Sequence, residues 1–373
     1  MSKNTEKVKT SFLKAFFQGK GFQSFSASSI AILIGFVFGF IILVASNPFN
    51  ATEGFMTILT GGLIYSGYIG IGQMLYLATP IILTGLSIGF AFKTGLFNIG
   101  SSGQFIVGAF AAVYIGLKWT FLPVEILWIV ALIGAAVAGG LWALIPGFLK
   151  AYRNVNEVIA SIMMNYIGMY LVNYLVVQTI FDSKKNQSMT PLLASIPKAG
   201  LDKIFTGSSV NFGIIIAIVM AVVIYIILQK TTFGYELKAC GFNRSAAQYA
   251  GINDKMGIML SMVIAGALSG LGGGLLYLAG SGKHIEVVDV LAAEGFSGIS
   301  VALLGLSNPI GIIFSGLFIA YITMGGFYMQ LSKYVPEIIS IMTAVIIYLS
   351  AFSLVFKDRV AGFIKKRMEG KKV

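Results

Sequence analysis

The chain has 373 residues, a formal net charge of +12, 57% hydrophobic and only 11% charged residues, and a mean hydropathy of +0.88. Soluble domains carry about a quarter charged residues, so that class is excluded, while 45 Gly and 29 Phe suit packed membrane helices. The lone Cys240 excludes an intramolecular disulfide, and with a single histidine it argues against a structural metal site. The basic residues form no aromatic-laced patch, so no nucleic-acid partner is expected; they sit at the edges of apolar runs, beside membrane lipid.

The first apolar run, from about Ala27 to Ala45, is too long for the apolar region of a signal peptide and lacks a clear small-residue cleavage site, so it reads as a retained helix. The segment 47–72, with Pro48, Asn50, Glu53 and many glycines, reads as a short external helix rather than a crossing. The pattern predicts an all-α polytopic membrane protein with spans at about 28–46, 73–92, 104–117, 124–149, 157–181, 209–229, 256–279, 294–306, 309–329 and 336–356. The third and eighth are short, and short, glycine-interrupted segments in matching halves point to a transport site. The expected domains are a basic cytoplasmic N-terminus over 1–27, a transmembrane domain over 28–356 with halves at about 28–181 and 209–356, and a basic tail over 357–373.

Charge predicts the direction. With the N-terminus inside, nineteen Lys and Arg residues fall on the cytoplasmic side and seven outside, four of those seven in the single loop 182–208. The positive-inside rule then puts both termini and the polar loop 230–255 in the cytoplasm. Two echoes suggest an inverted repeat. Val155-Asn156-Glu157-Val158-Ile159 opens span five as Val335-Pro336-Glu337-Ile338-Ile339 opens span ten, and Gly95–Gly100 before span three faintly matches Gly295–Ile299 at span eight. In each pair one copy lies at the inner face and the other at the outer face, as two five-helix halves of opposite topology require; chance similarity of apolar segments is the alternative.

Polar residues inside the apolar pattern mark candidate sites. Lys93-Thr94-Gly95-Leu96-Phe97-Asn98-Ile99-Gly100-Ser101-Ser102-Gly103-Gln104 places an Asn, a Gln, two Ser and three Gly between two spans. A chain break at Gly100–Gly103 would leave helix N–H groups to be satisfied by protein or by a water-filled cavity; an ordinary cytoplasmic turn is the alternative. Glu157, Ser161 and Asn165 recur at intervals of four on span five and share a helix face. Asn165 either lines a path or bonds a neighbouring helix. Glu157 and Glu337 open their spans, where a carboxylate complements the helix dipole. Gly266, Gly270 and Gly274 on span seven, and Gly134, Ala138 and Gly139 on span four, predict close helix contact. His284 is external and isolated. Gly280-Ser281-Gly282-Lys283-His284 is not a phosphate loop: Tyr277 stands where the first glycine belongs and His284 where a hydroxyl residue belongs. No nucleotide motif or enzyme active site is assembled, so the chain is not expected to be an enzyme.

The loop holds Lys230, Phe233-Gly234-Tyr235-Glu236, Gly241 and Asn243-Arg244-Ser245-Ala246-Ala247-Gln248-Tyr249-Ala250-Gly251. Asn243 is placed to cap a helix over about 244–250 that Gly251 ends. Its exposed face is expected to present Arg244, Ala247 and Gln248, with Tyr249 beside them, to a partner protein; a solvated connector is the alternative.

At these residues the chain resembles the permease subunits of bacterial ABC importers of the ribose, branched-chain amino acid and nucleoside type, over about residues 30–356. The resemblance rests on the loop from Phe233 to Ile252 and on Thr94–Gln104, which with Asn156-Glu157-Val158-Ile159 looks most like the nucleoside branch. It implies a type II importer fold, a cytoplasmic ATP-binding subunit that grips the loop and carries ATP and Mg, no cofactor in this chain, a second permease subunit that is a paralogue, an extracellular substrate-binding lipoprotein, and alternating access in a bacterial cell membrane. Glu236, Gly241, Asn243, Arg244, Ala246, Ala247 and Gly251 become the expected ATPase-coupling residues. Phe97, Asn98, Ser101, Ser102, Gln104 and Asn165 are the candidate path residues, on the chemical ground that aromatic stacking and amide bonding suit a nucleobase. Import of a sugar such as ribose or of branched-chain amino acids, an ion-gradient-driven secondary transporter, and a non-transporting scaffold or receptor are the rivals.

Overall fold

The computed structural model describes residues 20–61 and 63–351; the basic N-terminal residues before 20 and the tail beyond 351 lie outside the described residues. The chain divides into two compact units, 1–58 with 326–373, and 59–325.

The larger unit begins with α3 (Leu63–Lys93), after α1 (Lys20–Ser46) and α2 (Ala51–Leu59) of the smaller one. Gly67 breaks the start of α3 with φ 51° and ψ −129°, a conformation open to a residue without Cβ. There follow α4 (Ser101–Lys118), α5 (Val124–Arg153) and α6 (Glu157–Thr179). Next come a two-stranded antiparallel hairpin (Phe181–Asp182 with Gln187–Ser188) and the single turn α7 (Leu201–Ile204). The remaining helices are α8 (Gly213–Lys230), α9 (Thr232–Phe242), α10 (Arg244–Tyr249), α11 (Asp254–Tyr277), α12 (Ala293–Leu304) and α13 (Pro309–Tyr328). The hairpin corrects the all-α expectation in detail: two two-residue strands are too short to show as periodicity. Span three also begins earlier than expected, at Ser101 rather than 104, because Ser101–Gly103 join the helix.

Seven of the described helices are long and apolar enough to cross a membrane: Ser29–Ser46, Ser66–Lys93, Val124–Arg153, Glu157–Thr179, Gly213–Lys230, Asp254–Tyr277 and Pro309–Ser332. Helix α12 is 12 residues long, about 18 Å at 1.5 Å per residue, against a hydrocarbon layer of about 30 Å.

Helix α11 is the centre of this unit, packed against α5, α4 and α3. A Cβ on Gly270 would lie 2.3 Å from the Ala135 carbonyl oxygen and 3.0 Å from Gly139 Cα. A Cβ on Gly108 would lie 2.3 Å from Gly270 Cα, and one on Gly273 2.2 Å from the Phe105 carbonyl oxygen. Backbone therefore meets backbone on two sides of one helix, the close approach that small residues permit where lipid is as apolar as the side chains. Gly266, Gly270 and Gly274 behave as the sequence predicts. On α5 the contacting row is Ala135, Gly139 and Ala143; Gly134 instead faces Ile115, and Ala138 is only half-buried. A helix row advances by four and three, so Gly139 selects 135 and 143.

In the smaller unit α14 (Pro336–Ala351) packs on α1, where Gly35 admits the Ile346 backbone and Gly39 its side chain. The Tyr334 hydroxyl donates to the carbonyls of Leu43 (3.2 Å) and Asn47 (3.0 Å), closing the end of α1. Span ten is helical to Ala351; its expected last turn lies outside the described residues.

Two substitutions on one helix test this packing. Gly270→Ala forces backbone apart and should cost about 1–3 kcal/mol, as overpacking does. Gly272→Ala meets its nearest atom, the Pro80 carbonyl oxygen, at 3.3 Å, so it should cost clearly less than Gly270→Ala, with up to about 1 kcal/mol of helix propensity set against that contact. Unfolding midpoints in detergent check both.

Candidate functional site

The site begins where α3 ends. Gly95 at φ 75° takes the left-handed position, Gly95 N–H donates to Phe92 O (3.2 Å), and Leu96 N–H donates to Ala91 O (2.9 Å). These two bonds make a Schellman close, with Leu96 buried beside Ala91 and Met262 as its apolar contact. The Thr94 hydroxyl donates to Ala91 O at 2.8 Å and shares a 2.5 Å hydrogen bond with the Ser261 hydroxyl of α11.

The turn then brings the candidate path residues together. Asn98 and Gln104 form a reciprocal amide pair: Asn98 Nδ2 donates to Gln104 Oε1 at 2.8 Å, and Gln104 Nε2 donates to Asn98 Oδ1 at 2.9 Å. The remaining Asn98 donor goes to the Ser87 hydroxyl at 3.1 Å. Asn165 of α6 accepts from Gly103 N–H (2.8 Å) and donates to Ile99 O (3.0 Å), stitching α6 to the start of α4. Ser101 bonds Ser269 of α11 at 2.7 Å, and Ser102 donates to Ala292 O at 2.9 Å. Phe97 stacks on Phe92 with ring centroids 5.0 Å apart. Asn98, Ser101, Ser102, Gln104 and Asn165 are each at most 1% exposed. Five of the six expected path residues are thus buried close together, Asn98 and Gln104 bonded to each other and Ser101, Ser102 and Asn165 to neighbouring helices or backbone, and in this conformation none faces open space. For Asn165 the bond to a neighbouring element is the role observed. Ser161, on the same helix face, is fully buried, and its hydroxyl has no hydrogen-bond partner among the described residues.

The polar loop is built by three successive caps. The Thr231 hydroxyl accepts from Gly234 N–H (3.0 Å), Asn243 Oδ1 from Ala246 N–H (3.0 Å), and Asn253 Oδ1 from Met256 N–H (3.1 Å), starting α9, α10 and α11. Gly251 takes φ 82° after α10. Glu236, Ala246 and Gln248 are exposed, as are Phe242 (91%) and Tyr249 (94%). Ala247 corrects the expected exposed face: it is buried, because α10 turns that side onto the protein. Arg244 stays partly exposed while its Nε lies 2.5 Å from Asp254 Oδ2 at the first residue of α11. Sequence reasoning missed Asp254; an acidic residue directly after the capping Asn253 was the available signal. It also missed that Gly241, the last glycine of α9, lies against Gly95: a Cβ on Gly241 would be 2.8 Å from Gly95 N.

Elsewhere, Glu157 opens α6 as expected and also pairs with Lys150 at 2.8 Å across the turn from α5. Burial, with Asp254 and Glu236 nearby, pushes the Cys240 thiol up, while Arg244 pulls it down less strongly.

Two measurements check this geometry. Asn165→Ala leaves buried groups unsatisfied and should cost about 1–3 kcal/mol, whereas Ser161→Ala removes a group with no partner among the described residues and should not lower the unfolding midpoint. The raised Cys240 thiol holds less thiolate at neutral pH than a free cysteine. Its alkylation should therefore be slower than that of a free cysteine, continue to accelerate above the ordinary thiol range, and be faster at neutral pH in Asp254→Asn.

A family described as branched-chain amino acid transport system / permease component matches residues 70–351. The guanosine ABC transporter permease protein NupP of Bacillus subtilis is 38% identical over 91% of this chain and 96% of its own length. The nucleoside ABC transporter permease protein NupB of Lactococcus lactis subsp. cremoris is 35% identical over 88% of this chain and 91% of its own. The glucose ABC transporter permease protein TsgB13 of Haloferax volcanii is 30% identical over 88% and 87%. No solved structure matches. Together with the seven apolar helices, these likenesses make the protein a multi-pass membrane protein and a transport component rather than an enzyme. The chain belongs to the permease-component family of the branched-chain amino acid transport system.

Proposed function

We propose that this chain is one of two permease subunits of an ATP-driven importer of nucleosides, moving its substrate inward by alternating access. The observation that carries the reading is the likeness, over about nine-tenths of the chain, to permeases named for guanosine and nucleosides. The capped, rigid loop α9–α10 supports a docking role for a cytoplasmic ATP-binding subunit, which would carry ATP and Mg. An extracellular binding protein would deliver the substrate. The second permease subunit would be a paralogue: Bacillus subtilis and Lactococcus lactis each hold a further matching guanosine or nucleoside permease, NupQ and NupC.

In this reading the chain crosses the membrane ten times as two inverted halves, with both termini and the 230–255 loop in the cytoplasm. Ten described helices fall on the ten predicted ranges, which supports the count. The basic bias toward one side supports the orientation. The exposed coupling surface would be Glu236, Phe242, Ala246, Gln248 and Tyr249, with Asn243, Arg244, Ala247 and Gly251 holding its shape. The buried cluster at Asn98, Gln104 and Asn165 would sit beside the path and change its bonding as the path opens. Sugar import is the second reading, favoured by the glucose permease among the relatives.

Uptake by vesicles holding the complete transporter separates the readings. Labelled guanosine should accumulate when ATP is supplied to the ATPase, and labelled glucose should not. Accumulation driven by a sodium or proton gradient without ATP would overturn the importer assignment.

A further inference from the structure

The turn 94–100 is held from two directions by the same cytoplasmic loop. On one side, the last turn of α9 touches it directly. A Cβ on Gly241 would sit 2.8 Å from both Gly95 N and Thr94 C, and a Cβ on Gly95 would sit 2.7 Å from Gly241 Cα. Two glycine backbones in contact offer no side chain to yield, so a push on α9 moves the turn. On the other side, Arg244 of α10 is paired with Asp254, which opens α11. Further along α11, Ser261 bonds Thr94 and Ser269 bonds Ser101. The loop and α11 therefore grip both ends of a seven-residue turn.

Asn98 lies between those grips, and its amide partner Gln104 lies just beyond them on α4. A displacement of the turn relative to α4 and α6 stretches that pair and the Ile99–Asn165 bond together. Ser161 stands next to them: a Cβ on Gly100 would be 3.2 Å from Asn98 Oδ1 and 3.3 Å from Ser161 Cβ. Its buried hydroxyl is unused here, and a buried hydroxyl without a partner in a native structure calls for an explanation; a partner in another state supplies one. Resting on the importer reading above, we propose that the turn 94–100 is a two-position latch. Motion of the loop drives it through the Gly241–Gly95 contact, and Ser161 takes up an amide of the cluster in the second position. Gly241 and Asp254 act as positioning residues, and Ser161 serves only the state not seen here.

The test uses the complete transporter in vesicles and reads labelled guanosine, or glucose, accumulated per ATP hydrolysed. Gly241→Ala and Ser161→Ala should assemble and hydrolyse ATP but lose at least about fivefold in that ratio, the lower end of ordinary coupling energies. Gly257→Ala, whose Cβ would meet nothing closer than 3.5 Å, should match the unsubstituted protein. Ser161→Ala is the discriminating variant, because a purely structural role predicts no loss from removing an unpartnered hydroxyl. A retained ratio in either latch variant overturns the proposal while leaving the importer reading intact. If the unsubstituted transporter accumulates neither compound with ATP, the importer reading fails and the latch loses its driver. Should Gly241→Ala fail to assemble, hydrogen exchange on the unsubstituted complex decides. Amides of 96–104 should change protection when the ATPase is trapped with MgATP and vanadate, and unchanged protection overturns the latch.

Discussion

Nothing larger than a hydrogen atom fits at Gly270. That exclusion brings α11 onto the backbones of α5 and α4 at once, and much of the larger unit follows from it. With α11 held there, Ser269 reaches Ser101, Ser261 reaches Thr94, and Asp254 arrives beside the short helix α10. A central helix held off by even one methyl group would leave each of these polar contacts too long. The small residues on α11 are thus part of the functional geometry although they carry no chemistry.

The second constraint is the cost of an unpaired amide in an apolar interior. Asn98, Gln104 and Asn165 meet it by turning on one another and on the backbone of the turn. The outcome is a polar cluster with almost no exposed surface, in a chain belonging to a family whose work is to pass solutes. The proposed place of this cluster beside the path requires that it exchange partners at little net cost. Amide and hydroxyl groups suit that exchange, since they both donate and accept.

The sequence made the helices legible because apolar runs of about twenty residues are hard to produce otherwise. The Asn243 cap and the Gly251 stop were equally readable, since each depends on a residue and its immediate neighbours. What it could not show was rotation about a helix axis. Ala247 was expected outside because small residues invite a partner; it lies inside because α10 rests on the protein through that position. The row on α5 is legible only in part: Gly134 meets Ile115 of α4 and Ala138 is half-buried, while the phase toward α11 is set by Gly139. The amide cluster was seen as composition and missed as connectivity, because Asn165 is 62 residues from the amide it accepts. The contact between Gly241 and Gly95 left no local signal at all.

The brevity of α12 has a consequence for the membrane itself. A helix of about 18 Å cannot match a bilayer by tilting, as a long span does. Its buried face packs chiefly on α3 and, less, on α4, while Ala293 and Phe296 are exposed. Long helices such as the 30-residue α5 can absorb changes in lipid thickness by tilt, while α12 is too short to do so and is held by its buried face. A change in lipid thickness would on that ground be taken up first by the long helices, before it reached the packing of α12 on α3.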